Sequence, residues 1–150
     1  MIVCCSPIAC SASRSATSGY LLKHVQIKLN RRTQAALADL GVSPRDVGVL
    51  RVIAGGQARS QQEIAATLEV DAPSLVPLID ALESRHLVVR SPSETDRRRN
   101  VVALTDQGWD LLRQAEERYD EAERSFTTAL GDAGASDLRL KLHTLLHSNT

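Results

Sequence analysis

The sequence is poor in aromatic residues and contains no long apolar run. Its 150 residues include only four aromatic side chains, at Tyr20, Trp109, Tyr119 and Phe126. Leu, Val and Ala must therefore build the core, which favours packed helices over a β-sandwich. No run approaches the roughly 20 apolar residues that a membrane-spanning helix requires. We therefore expect a soluble, cytoplasmic chain without a membrane partner.

Cysteine is absent after position 10, since the three cysteines are Cys4, Cys5 and Cys10. An odd number of cysteines does not form a complete disulfide framework, and no Cys or His spacing elsewhere is typical of a zinc site. We therefore expect no metal and no cofactor. Residues 1–18 are rich in Ser and Ala and lack hydrophobic periodicity, which predicts a disordered or weakly ordered tail.

Neither sign of charge is in excess, because 18 Lys and Arg residues balance 18 Asp and Glu residues. The whole chain therefore has no field that would draw it to nucleic acid or anionic lipid, and any such affinity must be local. One local cluster is Arg97, Arg98 and Arg99. The sequence shows no nucleophile–base pair, glycine-rich phosphate loop or carboxylate dyad, so we expect no enzymatic activity.

Apolar residues that recur at intervals of three and four predict six helices. Cap signatures precede four of them, at Ser43, Ser60, Asp71 and Thr105. The apolar stripe of the first helix runs from Leu22 and Val25 to Leu40, where Gly41 ends the helix. The stripe of the helix after Thr105 runs from Trp109 to Leu130. Glycines at 131 and 134 are expected to break this helix and leave a short final one.

The helical period ends at the segments 87–90 and 100–104, whose β-branched residues predict a β-hairpin with a charged loop of about nine residues. Two short helices followed by a hairpin are typical of a helix-turn-helix with a wing. The second helix of such a module enters the DNA major groove, and the hairpin tip reaches the flanking backbone or minor groove. A helix pair alone also fits an ordinary helical core, but the arginines at the tip favour DNA.

Several segments together resemble the MarR-type winged-helix transcriptional regulators, over about residues 19–147. They are Gly41–Pro44, Gln62–Ala65, Leu78–Val88 and Asp96–Gly108. The last segment holds an Asp-x-Arg followed by Leu-Thr-x-x-Gly, which is similar to the family's wing signature. The resemblance implies a mainly α fold, with a winged helix-turn-helix at 43–104 and N- and C-terminal dimerisation helices at 19–41 and 105–150.

The same resemblance implies a homodimeric, DNA-binding transcriptional regulator. It would act as a repressor on a pseudo-palindromic operator and be relieved by a small phenolic or carboxylate effector. By the Asp-x-Arg match, Arg98 inserts into the minor groove, Arg97 and Arg99 contact phosphates, and Asp96 orients the wing. A guanidinium suits this role because it is flat, permanently charged and weakly hydrated.

The second helix of the pair offers few hydrogen-bond donors to base edges. Direct readout would rely on Ser74, with Val76 and Pro77 in apolar contact with thymine methyl groups. Pro77 is also expected to bend the helix about one turn from its start. Ser60 and Gln61, at the start of the preceding helix, are further candidate DNA contacts.

Tyr20, His24 and Val47 are the candidate lining of an effector pocket, although a solvated or interface position also fits His24. Two alternative functions remain. One is peroxide sensing through a thiol, for which the family's sensors carry a cysteine in the first helix, where this sequence has none. The other is a DNA-free protein-interaction module on the same scaffold.

Overall fold

The computed structural model describes residues 17–56, 59–93 and 100–148, and in this part of the chain it is mainly helical with one small sheet. The regular elements are α1 (Ser18–Leu37), α2 (Pro44–Ala54), β1 (Arg59–Ser60), α3 (Gln61–Thr67), α4 (Ala72–Ser84), β2 (Val88–Pro92), β3 (Asn100–Leu104), α5 (Asp106–Thr127) and α6 (Gly131–His147). Short 3-10 turns follow α1 and α5, at Ala38–Leu40 and Thr128–Leu130. The predicted fold class is confirmed.

Side-chain caps start the helices of the central region. At α2 the Ser43 hydroxyl accepts from the Asp46 N–H, and the Asp46 carboxylate accepts from the Ser43 N–H, which satisfies two donors that have no partner inside the helix. The four predicted caps are confirmed, at Ser43, Ser60, Asp71 and Thr105. The predicted stop at Gly41 is also confirmed, since this residue adopts a left-handed conformation with φ of 64°.

The sheet has the strand order β1-β3-β2, and both pairings are antiparallel. In the hairpin, Val88 lies opposite Leu104 and Pro92 lies opposite Asn100. The sequence did not predict β1, which contributes only Arg59 and Ser60 beside Val102 and Val101. Two residues are too few to show a hydrophobic alternation.

A single apolar core lies between α2, α3, α4, the sheet and the first half of α5. Its largest fully buried side chains are Leu37, Val47, Val49, Leu50, Ile53, Ile64, Leu75, Ile79, Leu82, Leu87, Val88 and Val102. From α1 only Thr33 and Leu37 are buried. The winged region therefore holds the core, and the N-terminal half of α1 lies outside it.

The start of α5 is pressed against the end of the turn between α4 and β2. The Thr105 hydroxyl donates to the His86 carbonyl at 2.6 Å, and a Cβ at position 108 would overlap the Leu87 carbonyl oxygen. Only glycine fits there, and Gly108 is accordingly buried in the first turn of α5. The prediction that Trp109 belongs to the buried stripe is wrong, because its side chain is 51% exposed.

The C-terminal helix differs from its prediction. The predicted break at Gly131 is confirmed, because α6 begins at this residue and its φ of +67° accommodates the change of direction after the 3-10 turn Thr128–Leu130. The predicted break at Gly134 and the short final helix are wrong, since α6 continues through Gly134 for 17 residues. Leu130 is half exposed rather than buried.

Within residues 17–148 as far as they are described, no helix has both the length and the hydropathy to cross a membrane.

Candidate nucleic-acid interface

α4 is anchored by one face and exposed on the other. Leu75, Ile79 and Leu82 are buried, and their spacing of four and three places them on one side of the helix. The predicted contact residues Ser74, Val76 and Pro77 are all exposed, on the part of the helix surface that faces away from the core. The helix is continuous through Pro77.

The first turn of α4 holds a short hydrogen-bond network. Asp71 accepts from the backbone N–H of Ser74 at 2.8 Å and from the Ser74 hydroxyl at 2.8 Å. The hydrogen bond from the Ser74 hydroxyl, followed by that from its N–H, holds the pKa of Asp71 below its ordinary value. The carboxylate is therefore held in its charged form at the start of the helix, where the dipole favours it.

Arg90 ties the hairpin to α4. Its guanidinium donates to Glu83 and, at 2.5 Å, to Asp80, and its backbone N–H also donates to Glu83. Partial burial lowers the pKa of Arg90, but hydrogen bonds and charge from Asp80 and Glu83 outweigh that effect and raise it overall. The orientation of the wing strand relative to α4 is therefore fixed by a charged contact as well as by the core.

A second guanidinium, at the C-terminal end of α4, ties this helix to the turn after α1. Arg85 donates to the Gly41 carbonyl at 2.7 Å and to the Leu40 carbonyl at 3.2 Å. These acceptors belong to the turn that ends α1. Neither of these arginine contacts was predicted from the sequence. For Arg90 a partial signal existed, since Asp80 and Glu83 are three residues apart and share a helix face.

Ser60 does not fit its predicted role as a DNA contact. Its side chain is 7% exposed, and its hydroxyl and backbone N–H both donate to the Glu63 carboxylate at 2.8 Å. The residue is a helix cap whose polar groups are already used. Its neighbour Gln61 is half-buried, and in the part of the chain that the structure describes its Nε2 has no hydrogen-bond partner.

The predicted wing-tip residues Asp96, Arg97, Arg98 and Arg99 lie outside the described residues, as do Cys4, Cys5 and Cys10. The strands that flank the tip are described up to the pair Pro92 and Asn100. Roles for the four tip residues stay predictions.

The structure does not bring the three predicted pocket residues together. Tyr20 and His24 stack with ring centroids 3.9 Å apart on the exposed side of α1, and His24 Nδ1 lies 2.8 Å from the Tyr20 carbonyl oxygen. Val47 is fully buried in the core. Among the described residues there is also no group of three or more His, Cys, Asp or Glu side chains that could hold a metal ion.

Comparison with known proteins gives a consistent result for the sequence and the fold. The MarR family model matches residues 40–99. The proposed transcriptional regulatory protein for the hcr operon of Thauera aromatica is 34% identical over 116 residues, which are 77% of this chain and 70% of the relative.

Solved structures extend the likeness over most of the chain. The transcriptional repressor CouR bound to a 23-mer DNA duplex is 32% identical, with a TM-score of 0.82 over 87% of this chain and 93% of CouR. CouR from Rhodococcus jostii RHA1 bound to p-coumaroyl-CoA is 29% identical, with a TM-score of 0.75 over 88% of this chain and 93% of that one. The chain is therefore a winged helix-turn-helix transcriptional regulator of the MarR family.

Proposed function

We propose that the protein is a homodimeric repressor that binds a pseudo-palindromic operator and is released by a phenolic or carboxylate effector, free or as a CoA thioester. The observation that carries the DNA-binding part is the outward face of α4, with Ser74, Val76 and Pro77 exposed. The similar fold of DNA-bound CouR supports the same use of this module.

The apolar side chains in the N-terminal half of α1, which stay exposed in the part of the chain that the structure describes, support the homodimer. Leu22 and Val25 continue the stripe of the buried residues Thr33 and Leu37 at helical spacing, yet they are about half exposed in the single chain. On α6 the exposed apolar side chains include Leu140, Leu145 and Leu146. A second copy would cover both surfaces with one two-fold contact.

Such a dimer explains why the operator should be pseudo-palindromic. Two α4 helices related by a two-fold axis reach two half-sites about one helical turn of DNA apart. The flanking arginines of the wings would add phosphate and minor-groove contacts outside each half-site. Repression then follows if the bound dimer covers a promoter.

The effector class is supported by the relative that binds p-coumaroyl-CoA. A ligand releases DNA only through a higher affinity for the dimer whose two α4 helices are wrongly spaced. A site between α1, α2 and the winged region would suit this role, because Arg85 connects the end of α4 to the turn after α1.

Selection of genomic fragments by the purified protein, followed by titration of the selected duplex at several salt concentrations, tests the DNA-binding part. Log affinity should fall linearly with log salt, because Lys and Arg displace counterions from several phosphates. A scrambled duplex of equal length is the control. Binding indifferent to salt, or equal for both duplexes, would contradict the proposal.

Release by an effector is tested on the selected duplex with p-coumarate, p-coumaroyl-CoA and, as a control, CoA alone. The proposal expects at least one phenolic compound to lower DNA affinity at a concentration where CoA has no effect. If none of a panel of aromatic acids and their thioesters changes the affinity, the effector class is wrong.

A further inference from the structure

The outward face of α4 offers no free hydrogen-bond donor. Its exposed side chains are Pro73, Ser74, Val76, Pro77, Asp80, Ala81 and Ser84. Only the two serines carry a proton that could be donated to a base. Ser84 donates its proton to the Ala81 carbonyl at 2.8 Å, within the helix.

The hydroxyl proton of Ser74 is also already used in a hydrogen bond, in this case to a charged partner. Its hydroxyl donates to the Asp71 carboxylate at 2.8 Å, while the Ser74 N–H donates to the other carboxylate oxygen at 2.8 Å. A hydroxyl has one proton and two lone pairs, so Ser74 Oγ retains the capacity to accept. A hydrogen bond to a carboxylate is stronger than one to a neutral acceptor, which holds the proton in place.

The guanidinium groups around α4 are also occupied. Arg85 donates to two backbone carbonyls, and Arg90 to the carboxylates of Asp80 and Glu83. Arg59 donates to the Gly55 carbonyl at 3.3 Å and to Thr67 Oγ1 at 3.4 Å. Arginine and lysine are the usual readers of guanine, through its O6 and N7 acceptors. None of these three arginines is free for that contact.

One further cation, Arg45, lies near the start of α4 and contributes to the charge environment of Asp71. It belongs to α2, at the second residue of that helix. Cations beside the reading helix generally contact phosphates, which fix the register of the protein and carry no sequence information directly. The base-reading surface is then the first two turns of the outward face of α4, with Ser74, Val76 and Pro77.

We propose that α4 reads the major groove as a surface of acceptors and apolar groups. Ser74 Oγ accepts from cytosine N4 or adenine N6, Val76 and Pro77 contact thymine methyl groups, and guanine O6 and N7 are not read. The proposal rests on the proposed function and adds the base chemistry of the half-site.

The expected discrimination follows from unpaired acceptors. Guanine presents two acceptors, O6 and N7, in the major groove. If they lay opposite Ser74 Oγ and the Asp71 carboxylate, both guanine acceptors would lose their water without gaining a hydrogen-bond donor. A good base contact discriminates by roughly 5- to 150-fold in affinity. The half-site positions under the first two turns of α4 should therefore be A, C or T on the strand that α4 contacts.

Base analogues in the selected operator test the proposal one atom at a time. Deoxyuridine removes the thymine methyl group, 2′-deoxynebularine removes the adenine N6 amino group, 2-pyrimidinone deoxyriboside removes the cytosine N4 amino group, and 7-deaza-dG removes guanine N7. We expect at least one amino-group deletion to weaken binding fivefold or more, and the Ser74→Ala protein to be insensitive to that same deletion.

Two control variants keep the result interpretable. Ser74→Thr retains the hydroxyl acceptor and should restore the sensitivity to the deleted amino group. Ser84→Ala removes a serine of the same helix, whose hydroxyl is likewise bonded within it, and should give the analogue profile of the parent.

Two results would overturn the proposal. One is an analogue profile that is the same for the parent and Ser74→Ala proteins. The other is a loss of fivefold or more with 7-deaza-dG that disappears in Ser74→Ala, since Ser74 would then donate to guanine. A parent protein that binds no duplex at all would instead refute the proposed function.

Discussion

Gly108 shows how one missing side chain determines the position of a helix. A Cβ at this position would overlap the backbone oxygen of Leu87, which cannot rotate away as a side chain would. We expect Gly108→Ala to lower the free energy of unfolding by about 3 kcal/mol, the upper part of the range for overpacked cores. Urea unfolding followed by circular dichroism measures the change.

The matched control for this variant is Gly48→Ala. Gly48 lies inside α2, and a Cβ there would meet no heavy atom within 4 Å. Alanine in a helix interior stabilises by about 0.5–1 kcal/mol relative to glycine. If Gly108→Ala were as stable as Gly48→Ala, the close approach of α5 to Leu87 would not be required.

Arg98 is the residue that the resemblance to the family predicts to insert into the minor groove. Arg98→Ala should cost about 1–3 kcal/mol of binding free energy and reduce the salt slope, while the melting temperature stays that of the parent. Fluorescence anisotropy of a labelled operator and a thermal melt give the two values. Parental affinity in this variant would mean that the wing does not insert Arg98 into the groove.

At the scale of elements, the contact between the wing and α4 depends on Arg90. Arg90→Met leaves Asp80 and Glu83 without their shared cation, so we expect a loss of about 1–2 kcal/mol in stability, between exposed and buried ion pairs. Operator affinity should fall as well, because the hairpin and α4 are no longer held in one orientation.

Arg113→Met is the control for Arg90→Met. Arg113 is a surface residue of α5 whose contacts to Asp110 and Glu117, at 3.8 Å and 3.6 Å, are exposed. Its loss should change stability by less than about 0.5 kcal/mol and leave operator affinity unchanged. Equal affinities for the Arg90→Met and Arg113→Met proteins would show that the ion pairs at Arg90 do not position the wing.

Local signals predicted the elements well, and contacts between distant residues escaped prediction. The caps at Ser43 and Thr105 were readable because their partners lie three residues away. The acceptors of Arg85 lie 44 and 45 residues earlier, and no sequence period marks such a pair. Trp109 was wrongly predicted to be buried, because apolar periodicity assigns the larger apolar residue to the core. The space beside Leu87 admits only Gly108.

In the candidate site, too, some features could be predicted from local sequence signals and others could not. The outward position of Ser74, Val76 and Pro77 follows from the buried spacing of α4, which the sequence shows directly. The proton of Ser74 could not be assigned, because that requires the position of the Asp71 carboxylate. The burial of Ser60 could not be predicted from the sequence either. Whether a cap residue is exposed or buried depends on the elements packed beside it, and Ser60 pairs with Val101 in the sheet.

For the whole molecule, the proposed dimer makes a prediction about two valines of similar exposure. Val25 on α1 is 44% exposed and Val89 on β2 is 46% exposed. Val25→Glu should place a charge in the interface between copies and yield monomers that bind the operator weakly. Val89→Glu should remain dimeric. Sedimentation equilibrium at micromolar concentration decides, and a dimeric Val25→Glu protein would exclude α1 from the interface.

The N-terminal segment is predicted to be dispensable. A truncated chain should begin at Thr17, since its hydroxyl accepts from the Tyr20 N–H at 3.4 Å and caps α1. This chain lacks all three cysteines, and we expect the parental oligomeric state, operator affinity and indifference to organic peroxide. Operator binding with and without peroxide is the measurement. Release of DNA from the full chain alone would assign the switch to a thiol.

The anchoring of α4 also limits how such a protein acquires a new operator. Leu75, Ile79 and Leu82 belong to the core, while Asp80 and Glu83 hold the wing and Arg85 holds the turn after α1. The second half of the helix therefore has little freedom to change, because substitutions at these positions alter packing or orientation. Among positions 72–77 only Leu75 is buried, so this part of the helix has the most freedom to change. A change of DNA sequence preference, whether by evolution or by design, has to be made in the first two turns.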